Sequence, residues 1–127
     1  MAGDRQTPSG TSFDPAPQFS VYQVVGHQPL SITGRCYFAP VKTGTVFDLH
    51  LAPGHDPQKP DQCHLLVQEI FFAERPVDEL GQVSSARLIL SGDVPPLLTP
   101  ESLLIALNSA DTDQWQLAGS LWLRTQQ

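Results

Sequence analysis

Leu30-Ser31-Ile32-Thr33-Gly34-Arg35-Cys36-Tyr37-Phe38 is the stretch that decides the fold class. Leu30, Ile32, Gly34, Cys36 and Phe38 fall on one side and Ser31, Thr33, Arg35 and Tyr37 on the other. That is the period-2 pattern of a strand with one buried face. Upstream, residues 19–25 carry the β-branched and aromatic content of a strand, broken by His27-Gln28-Pro29. Downstream, residues 40–44 form a turn, and residues 45–51 alternate again, with Phe47, Leu49 and Leu51 opposite Val46, Asp48 and His50.

The pattern continues outward. Residues 52–62 hold three prolines and a glycine and read as a long loop. Residues 64–74 form an extended apolar strand, 75–83 a second loop, and 84–90 another strand closed by Pro95-Pro96. Thr99-Pro100-Glu101-Ser102 makes a short turn into a strand at 103–107. Residues 115–124 alternate as a final strand, with Trp115 and Trp122 on opposite faces. Residues 1–18, rich in Pro, Ser, Thr and Gly, read as a flexible lead. No segment sustains a helical period. Short strands separated by turn residues predict an all-β fold, a single small domain over 19–127 built as a closed or partly open antiparallel β-barrel.

Composition narrows the function. The chain has 127 residues, room for one domain. With 13 acidic against 7 basic residues its net charge is −6, which gives no support to broad phosphate contact. No stretch reaches the roughly 20 apolar residues of a membrane-spanning helix, and the first residues lack the layout of a secretory signal. A cytoplasmic location is expected, with no membrane association and with Cys36 and Cys63 as free thiols.

The order of the pieces resembles a known family. Phe19-Ser20-Val21-Tyr22-Gln23-Val24-Val25, Ser31-Ile32-Thr33-Gly34-Arg35 and Val41-Lys42-Thr43-Gly44-Thr45-Val46 are similar to the opening of the second, β-barrel domain of translational GTPases such as elongation factor Tu. Residues 67–74, Pro76-Val77-Asp78-Glu79, Leu88-Ile89-Leu90-Ser91-Gly92 and residues 97–106 resemble its second half. The likeness spans residues 19–107, and the strand at 115–124 lies beyond it. It implies a translation-factor domain II-like barrel and, by analogy alone, contact with RNA or the ribosome. The chain departs from that pattern at Cys36-Tyr37-Phe38, at Val46-Phe47-Asp48-Leu49 and around Pro100-Glu101-Ser102. It has no G-x-x-x-x-G-K-[ST] phosphate loop, so GTP hydrolysis does not carry over.

Three constellations carry chemistry. His50, His55, Cys63 and His64 supply enough donors for a metal ion, but their spacing matches no standard zinc pattern, and an ordinary polar loop is the competing reading. A cysteine nucleophile is disfavoured because Cys36 sits on the apolar side of its strand and Cys63 and His64, as neighbours, point to opposite faces. The third is a binding surface. Tyr22, Tyr37, Phe71 and Trp122 supply aromatic contacts, and Arg35, Lys42 and Arg87 supply charge; core packing is the competing role for the aromatics. The sequence therefore favours a non-catalytic module, without cofactor, that binds another protein. One form of this is an acidic neutraliser of a basic partner, and self-association is compatible with it. An RNA-contacting accessory of translation and a metal-binding protein are the alternatives.

Overall fold

The alternating stretch becomes the strand on which the fold is organised. A computed structural model describes residues 12–56, 59–107, 115–118 and 121–126; for residues 12–15, 115–118 and 121–126 it describes the strands and their pairing only. The strands are β1 (Ser12–Pro15), β2 (Gln18–His27), β3 (Leu30–Tyr37), β4 (Val41–Lys42), β5 (Val46–Leu51), β6 (Asp61–Phe72), β7 (Arg75–Val77), β8 (Glu79–Leu80), β9 (Ser85–Asp93), β10 (Leu103–Ile105), β11 (Trp115–Ala118) and β12 (Leu121–Gln126). In β3, Leu30, Ile32, Gly34 and Cys36 are buried while Thr33, Arg35 and Tyr37 are partly exposed, as the alternation requires; Ser31, expected on the open face, is buried as well.

Six strands close into an antiparallel barrel in the order β5-β10-β2-β3-β9-β6, and β6 returns to β5 to complete the ring. Because β6 is 12 residues long, it serves two neighbours along one edge. Its first half pairs with β5, and Ile70, Phe71 and Phe72 pair with β7. Short β4 and β8 pair Val41 with Leu80 and Lys42 with Glu79. A separate three-stranded sheet runs β1-β12-β11.

The interior holds Phe19, Val21, Leu30, Ile32, Cys36, Phe47, Leu65, Val67, Ile70, Leu88, Leu90 and Leu104, with Val41 and Leu80 of the small β4–β8 ladder. Each fully buried aliphatic or aromatic side chain contributes roughly 1.5–3 kcal/mol of transfer free energy, so this cluster is the main source of stability. Register shows how it is layered: Cys36 stands opposite Phe19, Phe19 opposite Leu104, and Leu104 opposite His50. Gly34 permits the close crossing of β2 and β3, because a Cβ there would strike the Ser20 carbonyl oxygen and the Phe19 ring.

Several expectations need correction. Part of the stretch read as a flexible lead is structured: β1 pairs with β12, Ala16 is fully buried, and β2 begins at Gln18. Residues 1–11 lie outside the described residues. The 115–124 stretch is two antiparallel strands, Leu117 opposite Trp122 and Ala118 opposite Leu121. Residues 119–120, between these two strands, lie outside the described residues. The 75–83 loop contains β7 and β8, and the 40–44 turn contains β4. The β6–β7 reversal places Ala73 and Glu74 at φ of 51° and 63°, the left-handed pair of a tight hairpin, without the Asn-Gly signature that would have announced it. Phe38, expected on the buried side of β3, lies beyond the strand at φ 76° and is only partly buried.

Candidate functional site

The outward face of β2, β3, β9 and β6 gathers several of the side chains singled out from the sequence. Antiparallel pairing puts Gln23 opposite Thr33, Thr33 opposite Arg87, Arg87 opposite Phe71, and Phe71 opposite Pro76. This row crosses the barrel wall. One step along, Arg35 stands opposite Ser85. A bulge in β2 between Val21 and Gln23 turns Tyr22 to the outside, where it is 48% exposed.

The arginines are held, not loose. The Arg87 guanidinium lies over the Phe71 ring, its Cζ 4.4 Å from the centroid, a cation–π contact. Arg35 donates through Nε to Ser85 Oγ at 3.4 Å, a long bond that does not occupy its terminal nitrogens. Because Arg35 opposes Ser85 and Arg87 follows two residues later on the same face, the two cations are diagonal neighbours, roughly 7 Å apart at Cα–Cα. Among the described residues neither forms an ion pair; the only such pair is Lys42 Nζ to Glu79 Oε1 at 3.7 Å. Tyr37 lies on the same side of β3 as Arg35, its ring 6.0 Å from that of Phe38.

Of the residues expected to form a binding surface, Tyr22, Arg35 and Arg87 thus share this wall, and Tyr37 adjoins Arg35 along β3. Lys42 is elsewhere, tied to Glu79 on the β4–β8 ladder. Trp122 is placed in β12, and its side chain lies outside the described residues. Phe71 gains a definite role beneath Arg87. Thr33, Gln23 and Ser85 were not singled out, because only strand register brings them into the row.

The metal constellation is not assembled. His50 is 1% exposed and turned inward, with Nε2 3.0 Å from Ser102 Oγ. Cys63 donates its thiol to the Phe47 carbonyl at 3.3 Å, while His55 and His64 are exposed. Among the described residues no group of three or more His, Cys, Asp and Glu is placed to hold a metal ion. The cause is in β5 and β6. Between the Phe47–Leu65 and Leu49–Gln62 pairs β6 carries one residue more than β5. The alternation of β5 changes sides there. Phe47 joins the main core, Leu49 packs with Ala16, Ile105 and Leu107, and His50 falls level with Leu104 inside.

Ser102 is itself fully buried, accepting the Thr99 N–H at 3.1 Å and lying 3.4 Å from the Leu97 carbonyl. Among the described residues His50 Nδ1 has no hydrogen-bond partner. Burial pulls the His50 imidazole below its ordinary 6.5; Asp61 opposes that pull and His55 adds to it. Burial pushes the Cys36 thiol up to about 11. Burial, then Asp48 and Asp61, push Cys63 up to about 12. Neither thiol is thus ionised as a nucleophile near neutral pH. Among the described residues no helix is long and apolar enough to cross a membrane.

No protein-family model matches the sequence. Nor does any curated protein match it.

Proposed function

We propose that this chain is a non-catalytic binding module that seats a protein partner on the outward wall of β2, β3, β9 and β6. The observation that most supports this is the juxtaposition of Arg35, Arg87, Tyr22 and Phe71 on one face, with no carboxylate paired to either arginine among the described residues. Arg and Tyr carry a disproportionate share of interface energy. The rigid barrel beneath them keeps the ordering cost of binding low. Support for the non-catalytic part comes from the inward placement of His50 and Ser102 and from the protonated thiols. Two free cysteines suit a reducing compartment such as the cytoplasm.

The RNA- or ribosome-contacting reading, drawn from the resemblance to the second domain of translational GTPases, would use the same arginines. The net charge of −6 weighs against it, since a phosphate chain is repelled by the molecule as a whole. The acidic-neutraliser form would use a different surface, such as exposed Glu74, Asp78 and Glu79 at the β7–β8 corner.

Affinity capture from the native cell, with and without ribonuclease, compares the wild type with Arg35→Glu/Arg87→Glu and with Glu74→Lys/Asp78→Lys. The expected result is a stoichiometric protein that survives ribonuclease and is lost with the arginine variant only, both variants melting as the wild type does. Loss on ribonuclease treatment transfers the function to RNA contact. Loss with the acidic-corner variant alone transfers it to neutralisation of a basic partner.

A further inference from the structure

Resting on that reading, we propose that Arg35 and Arg87 form a receptor for the carboxylate of an Asp or Glu side chain, presented by a short partner segment with apolar residues on either side. The wall is electrostatically unfinished. Two like charges stand in diagonal positions across an antiparallel pair, within reach of one another on long side chains, and repel. The chain carries 13 acidic residues against 7 basic ones, yet among the described residues no carboxylate neutralises either arginine. The nearest acidic position in register on this wall, Glu69, stands opposite Ile89, diagonal to Arg87, and forms no ion pair with either arginine. A carboxylate between the two guanidinium groups removes the repulsion and gains charge-assisted hydrogen bonds from both.

The pair is also set up in advance. Arg87 stacks over Phe71 and Arg35 is tethered through Nε to Ser85, so less side-chain freedom is lost when a ligand binds. Exposed Tyr22 and the half-buried Phe71 flank the cations with apolar surface. These fit apolar side chains on either side of the acid. A phosphate chain fits less well. Two cations neutralise two phosphates at most, and the remaining charges of a polyanion face a molecule of net charge −6. One carboxylate brings no such excess.

Random peptides displayed on phage test this, panned on the wild type and counter-selected on Arg35→Gln/Arg87→Gln. Enriched sequences should share one Asp or Glu between apolar residues. A synthetic copy should shift backbone amide resonances of residues 20–23, 33–35, 71 and 85–87. Changing its acid to the amide, or using the double-glutamine variant, should weaken the affinity about ten-fold, as for loss of a charged hydrogen bond. Enrichment of sequences without an acid, or failure to obtain clones that depend on the arginines, overturns the proposal. Clones that depend on Tyr22, lost with Tyr22→Ser but indifferent to the arginines, overturn it while leaving the protein-binding reading in place. An oligouridylate that shifts the same resonances more strongly than the peptide removes both.

Discussion

At the residue scale, His50 shows most about how this chain spends polarity in its interior. Its Nε2 faces Ser102 while Nδ1 has no partner among the described residues, so either neutral tautomer leaves one ring nitrogen unused. Protonation would place a charge where burial opposes it, with Asp61 the attractive neighbour and His55 the repulsive one. The folded pKa therefore lies below the unfolded value of 6.5, and between the two the unfolded chain binds more protons. The sign follows: this contribution is fully present above 6.5 and is lost as pH falls from there toward the folded value. Urea midpoints measured over roughly pH 5–8, the range in which histidine titrates, should fall in acid for the wild type. They should fall less for His50→Gln, and equal slopes for the two proteins would refute the assignment. The sequence singled out His50 as a metal donor but did not disclose its burial. Simple alternation puts His50 opposite Phe47, and only the extra residue in β6 brings both inside.

At the element scale, legibility followed turn chemistry. β3 was readable because a buried face with one half-open side writes its period into the sequence, and β2, β5, β9 and β10 followed for related reasons. The β6–β7 hairpin was not, because Ala73 and Glu74 adopt left-handed backbone without the residues that usually mark it. The wall that carries Arg35 and Arg87 was half legible. Tyr22, Arg35 and Arg87 were identifiable by type, but their convergence depends on register and on the β2 bulge. The lead was misread because a four-residue strand is too short to show a period. Its consequence can be tested at Ala16, which is fully buried against Leu49, Ile105 and Leu107 just before β2, where Ala106 donates to the Pro17 carbonyl. Ala16→Asp places a carboxylate in that cluster and should cost about 2 kcal/mol or more, seen as a lowered urea midpoint with an unchanged slope. A neutral result would mean that this segment does not belong to the folded unit.

At the scale of the whole molecule, the barrel is a ring, and a ring opens first at its weakest joint. Between β3 and β9 the register runs unbroken through six pairs. The two joints of β10 are the shortest, three pairs each to β5 and β2, and the β5–β6 joint has four pairs and is interrupted by the irregularity at Phe47 and Leu49. The two thiols report on these regions separately. Cys36 is fully buried on β3, and Cys63 lies at the β5–β6 joint with its thiol on the Phe47 carbonyl. Because the folded thiols sit at about 11 and about 12, alkylation near neutral pH proceeds through opened states, where both cysteines have ordinary reactivity. In urea below the unfolding transition, mass-resolved alkylation should modify Cys63 about ten times faster than Cys36, equivalent to an opening easier by about 1.4 kcal/mol. The native-state order of pKa values works the other way, so a lead for Cys63 reports the joint and not thiol acidity. Equal rates that track global unfolding would show instead that closure makes the six strands a single cooperative unit, and the β5–β6 irregularity would then carry no local weakness.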